Sequence, residues 1–134
     1  MDRRSFLEMA RKRILIVDDE VDIINTIKLF LEIEGYDIII AFDGREALDK
    51  VRSENPELII LDVMLPSIDG FEIAQKLKSD ARYKHIPILI VTAFAQRAEE
   101  ELAKKSLADS YMTKPLELDV LNDKVKELLS RRRE

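Results

Sequence analysis

The sequence predicts an α/β fold in which helices cover both faces of a parallel sheet of five strands. Three observations predict it. Five short strand-like runs, most of them strongly apolar, recur along the chain: Ile14–Val17, Asp37–Phe42, Leu58–Leu61, Ile88–Val91 and Ser110–Thr113. After each comes a stretch with helical character, most of them with apolar residues at helical spacing. The connections are short and no segment repeats, the pattern of consecutive strand–helix units. Because such crossovers are right-handed, the helices fall on both faces, giving a doubly wound sheet.

Each element has its own justification. Ile14–Val17 is apolar throughout, as expected of a strand buried on both faces. Asp18-Asp19-Glu20 then leads into a helix over about Val21–Glu34, with Ile23, Ile24, Ile27, Phe30 and Leu31 on one stripe. Gly35 stands where a helix commonly ends in the left-handed conformation. The run Asp37–Phe42 is the second strand, and Asp43-Gly44 turns the chain into a helix through about Ser53, with Ala47, Leu48 and Val51 inward. Asn55-Pro56 breaks before the third strand. A loop from Met64 to Gly70 precedes a helix over about Phe71–Lys78 that carries Ile73, Ala74 and Leu77. Pro87 opens the fourth strand, and a polar helix over about Gln96–Ser106 leads to the fifth. The last helix, about Leu116–Arg131, carries Leu118, Val120, Leu121, Val125, Leu128 and Leu129.

Composition limits what such a domain can do. At 134 residues, with 46% hydrophobic and 37% charged, the chain suits one soluble domain with a real core. A net charge of −5 argues against a nucleic-acid surface on this domain. There is no cysteine, which excludes disulfides, zinc thiolates and thiol chemistry. The apolar runs are far too short to span a membrane. Asp2-Arg3-Arg4-Ser5-Phe6-Leu7 resembles a twin-arginine signal, but Glu8 interrupts the apolar stretch of about 7–15 residues such a signal needs. The expected compartment is the cytoplasm. Residues 1–12 read as an amphipathic extension with Phe6, Leu7 and Met9 able to dock, 13–130 as the domain, and 131–134 as a charged tail.

In open α/β sheets the ligand crevice lies at the carboxyl ends of the strands. Asp18 and Asp19, Asp62, Thr92 and Lys114 all stand at those ends. An aspartate closing so apolar a strand as Leu58–Leu61 is costly to bury without a partner. Carboxylates brought within about 5 Å repel by roughly 3 kcal/mol per pair at an effective dielectric near 20. A proton or a cation relieves that repulsion. Oxygen ligands without His or Cys suit Mg²⁺, with Mn²⁺ a second candidate. A carboxylate is also a nucleophile toward phosphorus. Lys114 can serve as a point charge on a phosphoryl group and Thr92 as a hydroxyl donor to it.

Taken together, Asp18-Asp19, Asp62 with Pro66 and Gly70, Thr92-Ala93, and Tyr111 with Lys114-Pro115 resemble the receiver domain of two-component response regulators. The resemblance runs from about Arg13 to Leu129. It implies the flavodoxin-like strand order 2-1-3-4-5. It implies that Asp62 accepts a phosphoryl group from a histidine kinase, a phosphotransfer protein or a small acyl phosphate. Asp19 and Asp62 would ligate Mg²⁺ directly, Asp18 through water, and Met64 through its backbone carbonyl. Lys114 would contact the phosphate, across a cis Lys114–Pro115 peptide. Thr92 and Tyr111 would form the switch, biasing the face made by the fourth helix, fifth strand and fifth helix, through which an output partner or a second copy binds. The domain would catalyse only its own phosphorylation and slow loss of the phosphate, and would not be an enzyme in any other sense.

Some residues depart from the family pattern. Leu107 replaces the glycine usual four positions before Tyr111, which bears on the shape of the output face. Met64 and Phe94 are bulky at positions that tune access of the hydrolytic water, and predict slow self-dephosphorylation. His85, the one histidine, is remote from the acidic strand ends and reads as a loop residue. A haloacid-dehalogenase-type phosphatase would need a second aspartate where Met64 stands, and no glycine-rich phosphate loop exists. The alternative function is a degenerate receiver, an interaction module that is never phosphorylated.

Overall fold

The computed structural model describes residues 11–65, 68–93 and 108–131. Five strands, β1 (Arg13–Val17), β2 (Asp37–Ala41), β3 (Leu58–Asp62), β4 (Ile88–Thr92) and β5 (Ser110–Thr113), pair in the order β2-β1-β3-β4-β5. All four pairings are parallel. The described helices are α1 (Val21–Ile33), α2 (Gly44–Glu54), α3 (Gly70–Lys78) and α4 (Leu118–Arg131). The expected helix over 96–106, Leu107, Phe94, Pro66, the extension as far as residue 10 and the tail from 132 lie outside the described residues.

The strands read as continuous apolar runs because successive side chains serve two separate cores. Leu15, Val17, Ile59, Leu61, Ile88 and Ile90 point to one face, where they meet Ala47 and Val51 of α2 and Phe71, Ile73, Ala74 and Leu77 of α3. Their neighbours Ile14, Ile16, Leu58, Ile60, Leu89 and Val91 point to the other. There they meet Ile24, Ile27 and Leu31 of α1 and Leu121, Val125 and Leu128 of α4. A one-residue slip in any of the three central strands would exchange these sets, so the register is tightly specified.

The helix ends follow from local chemistry. Gly35, at φ 101°, ends α1 in a Schellman arrangement: its N–H donates to Glu32 O at 3.0 Å and the Tyr36 N–H to Leu31 O at 3.1 Å. At the start of α2 the Asp43 carboxylate accepts from the Glu46 N–H at 2.8 Å, while the Glu46 carboxylate accepts from the Phe42 N–H at 2.7 Å. Asn55, left-handed at φ 51°, closes α2 before Pro56. The expected elements recur with small shifts. α1 stops at Ile33, β3 and β4 extend through Asp62 and Thr92, and α4 begins at Leu118 rather than Leu116. Val120, expected on the inner stripe of the last helix, is exposed; the stripe runs through Leu121, Val125 and Leu128 instead.

At the amino-terminal edge of the sheet, Lys78 and Asp109 join elements far apart in sequence. The Lys78 ammonium donates to Asp109 Oδ2 at 2.8 Å and to Ile86 O at 3.0 Å, and the same Asp109 oxygen accepts from the Ile88 N–H at 2.8 Å. Asp109→Ala removes an acceptor from both an ammonium and a strand-opening amide. The expected cost is about 2 kcal/mol by urea denaturation, since Asp109 is itself partly solvated.

Candidate functional site

Strands β1 and β3 end side by side, with Val17 registered to Leu61, so the aspartate after each arrives at the same edge of the sheet. Asp18 and Asp62 are 3% and 4% exposed, among the few buried charged side chains described. Each carboxylate is oriented by its own backbone turn. Asp18 Oδ1 accepts from the Glu20 N–H at 2.9 Å, and Asp62 Oδ1 accepts from the Met64 N–H at 2.9 Å. The other oxygen of each is thereby left facing the crevice.

Lys114 fills the space between them. β5 ends at Thr113, and the Lys114 N–H donates to Thr92 O at 2.9 Å, which carries the strand pairing one residue further. From there the side chain reaches back under the sheet edge. Its ammonium lies 3.0 Å from Asp18 Oδ2, 3.0 Å from Asp62 Oδ2 and 2.7 Å from Glu20 Oε1. The Lys114–Pro115 peptide that follows is cis. Carboxylate oxygens of Asp18, Glu20 and Asp62 all lie within 4.8 Å of one another, a separation at which a charged pair repels by about 3 kcal/mol at an effective dielectric near 20.

The titration of these groups reflects that crowding. Burial is the largest influence on Asp18 and raises its pKa; the Asp62 charge raises it further, while the Glu20 N–H and Lys114 pull it back. For Lys114 burial again is the largest single effect and works against the charged form. The hydrogen bonds from Glu20, Asp18 and Asp62 together outweigh it, so the ammonium is held well above the ordinary lysine range. The lysine is therefore a permanent cation in this setting.

Of the residues singled out in the sequence, Asp18, Asp62 and Lys114 come into direct contact. Thr92 is fully buried at the end of β4, next to β3. Tyr111 lies half-buried on β5 against the core shared with α2 and α3. Met64 is 47% exposed just past Asp62, and His85 is exposed in the turn before β4. Asp19 is exposed and stands outside the cluster. The acidic residue that does join Asp18 and Asp62 is Glu20, which sequence reasoning passed over as part of the lead into α1. The available signal was the run of three acids. The turn closed by Asp18 Oδ1 on the Glu20 N–H brings the third of them, not the second, over Lys114.

Chemically this is an acidic notch at the carboxyl edge of a doubly wound sheet. It has one buried carboxylate on the central strand, further carboxylates able to hold a metal ion, and a fixed lysine. Those features fit a phosphoacceptor site, and a family model for the response regulator receiver domain matches residues 14–126. The chain belongs to that family and is a receiver domain of two-component response regulators. It is 44% identical over 120 residues to the alkaline phosphatase synthesis transcriptional regulatory protein PhoP of Bacillus subtilis, covering 90% of this chain and 49% of that protein. It is 34% identical to the polar-differentiation response regulator DivK of Brucella ovis, covering 88% of this chain and 96% of that one. Among solved structures, a CheY-like receiver domain protein from Methanospirillum hungatei superposes with a TM-score of 0.84 at 33% identity, over 92% of this chain and 97% of that one. The chain thus spans about half the length of relatives such as PhoP and nearly all of DivK. Among the described residues no helix is long and apolar enough to cross a membrane.

Proposed function

We propose that Asp62 accepts a phosphoryl group from the phosphohistidine of a histidine kinase or phosphotransfer protein, or from a small acyl phosphate. The Asp62 oxygen facing the crevice forms the new P–O bond as the P–N or P–O bond of the donor breaks. Three carboxylates against one ammonium leave the notch a formal charge of −2, from the three pairs Lys114 makes. That imbalance, built wholly from hard oxygen donors, is the observation that carries the reading. It fits a divalent cation, Mg²⁺ or Mn²⁺, held by Asp18 and Asp62 with Asp19 or Glu20 and the Met64 carbonyl. Bound there, the ion would neutralise charge on the transferring phosphoryl oxygens. Lys114 supplies the chain's own positive charge to the same oxygens, and Thr92 a hydroxyl.

The domain is read as 13–130, with 1–12 an extension and 131–134 a tail. Its compartment is read as the cytoplasm, where two-component kinases present their phosphohistidine. A largely apolar cleft of about 310 Å³, lined by Ile23, Ile27, Pro115, Leu116 and Leu118 beside Lys114, opens next to the notch and suits an approaching donor protein. Phosphorylation draws Thr92 toward the new group and lets Tyr111 turn inward, changing the face that includes β5 and α4. An output protein, an output segment of a longer chain or a second copy reads that face; no nucleic acid or membrane is engaged directly. Tyr111→Ala is expected to keep phosphoryl uptake while abolishing the phosphorylation-dependent gain in output binding, measured by titration of the two forms.

The central test is incubation with acetyl phosphate and Mg²⁺, read by intact mass. The wild-type chain gains one phosphoryl group that hydroxylamine removes, and loses the gain in EDTA; Asp62→Asn gains nothing while keeping its fold. A chain that gains no mass with any donor is an interaction module only. Equal labelling of Asp62→Asn would place the acceptor elsewhere.

A further inference from the structure

The foot of α1 leaves two large apolar side chains in water. Leu29 and Ile33 are 62% and 74% exposed and stand one turn apart on the helix. Ile27 and Leu31, which flank them in sequence, are buried in the core. The pair lies at the amino-terminal edge of the sheet, the pole opposite Asp62, so phosphoryl transfer has no use for it. Val21, Phe42 and Met64, also exposed, lie at the other pole around the acidic notch.

The chain enters the fold at this same foot. The Asp37 N–H donates to Lys12 O at 2.9 Å, the Lys12 ammonium pairs with Glu57 at 3.2 Å, and the Arg13 guanidinium lies 3.7 Å from Asp37. Ile33 precedes Asp37 by four residues, at most about 14 Å of chain. The six residues back from Lys12 to Phe6 reach up to about 20 Å when extended. Acidic residues lie close to the apolar pair in sequence. Glu32, Glu34 and Asp37 are all exposed, and although Glu32 takes Lys28 and Glu34 takes the Asn122 amide, each carboxylate keeps further acceptor capacity. The segment ahead of Lys12 has a complementary make-up, with apolar Phe6, Leu7 and Met9 between cationic Arg3, Arg4 and Arg11, and Glu8 the single acid among residues 3–11.

We propose that residues 3–11 dock on the foot of α1, setting Phe6, Leu7 and Met9 over Leu29 and Ile33 with the arginines toward Glu32, Glu34 and Asp37. Apolar cover and opposite charge act together, and tethering at Lys12 makes the contact intramolecular, which raises its effective concentration far above that of a free partner. The contact is separate from the phosphoacceptor reading and stands or falls without it.

Hydrogen exchange on the full chain tests it. Phe6→Ser, Leu7→Ser and Met9→Ser together are expected to speed amide exchange at the end of α1, residues 29–36, by about tenfold. Exchange in β3 and phosphoryl uptake at Asp62 stay as they were. Leu29→Ser with Ile33→Ser, both on the surface, is expected to release residues 5–9 in the same way. Unchanged exchange at 29–36 in the first variant overturns the proposal. So does protection at 29–36 that vanishes on dilution, which would make the occupant a second copy.

Discussion

Lys114→Met is expected to destabilise the domain by about 3 kcal/mol at neutral pH, because it leaves three clustered carboxylates with no counter-charge. The wild-type ammonium touches Asp18, Glu20 and Asp62 at once, and its side chain is only 12% exposed, so solvent does little to replace it. Asp18 already sits above the usual carboxylate range through burial, and without Lys114 it moves further in that direction. A group whose folded pKa is raised contributes stability when protonated and loses that contribution as pH rises through the folded value. The deficit of the variant therefore shrinks in mild acid and is largest where all three carboxylates are charged. In the wild type the raised pKa of Lys114 keeps the ammonium charged through the whole neutral range, so on the alkaline side its contribution is lost only in strong alkali. Mg²⁺ is expected to restore part of the lost stability, since a divalent ion replaces the missing charge, and to bind the variant more tightly than the wild type. Urea denaturation across pH, with and without Mg²⁺, measures all three effects. A deficit independent of both pH and Mg²⁺ would assign the loss to packing of the lysine stem instead.

The same cluster marks where the sequence is legible and where it is not. Buried strands announce themselves because both faces demand apolar residues, so the apolar runs locate β1, β3 and β4 to within a residue, and their terminal aspartates and Thr92 with them. Gly35 marks a helix end because left-handed backbone selects for glycine, and Asn55-Pro56 marks the next because proline cannot continue a helix; the left-handed Asn55 itself is seen only in the structure. In the run Asp18-Asp19-Glu20, by contrast, any of the three acids could turn inward. Acids there also suit a helix N-terminus, which hides the choice. Asp18 is the acid that is buried, and of the two exposed acids after it Glu20 reaches the Lys114 ammonium, at 2.7 Å. Val120 went the same way: apolar residues at 118, 120 and 121 do not fix the rotation of α4, and packing against α1 and the sheet does. The Lys78–Asp109 pair, 31 residues apart, has no local signature at all.

Gly70→Val is expected to cost about 3 kcal/mol and to slow phosphoryl uptake together with it. Gly70 opens α3, and its N–H donates to Val63 O at 3.0 Å. A Cβ at this position would lie 2.5 Å from Val63 Cα and 2.6 Å from Asp62 O. Both are backbone atoms, in the proposed acceptor Asp62 and the residue after it. A side chain cannot rotate away from such a contact, so the start of α3 and the end of β3 must part. The turn that lets the Met64 N–H orient Asp62 Oδ1 lies in the displaced stretch. The other two glycines set the scale. At Gly44 an added Cβ meets Ile73 Cδ1 at 2.7 Å and Ile68 Cβ at 3.0 Å, side-chain atoms rather than backbone. At Gly35 nothing lies within 4 Å, and Gly35→Ala costs about 1 kcal/mol through its positive φ alone. The expected order of stability loss, Gly70→Val well above Gly35→Ala and Gly44→Ala, is read from urea midpoints, and acetyl phosphate labelling rates reveal whether the acceptor moved. A Gly70→Val chain that unfolds early yet labels at the wild-type rate while folded would mean that α3 only supports β3. Slower labelling of the folded fraction would mean that the close approach of α3 also aims the Asp62 carboxylate.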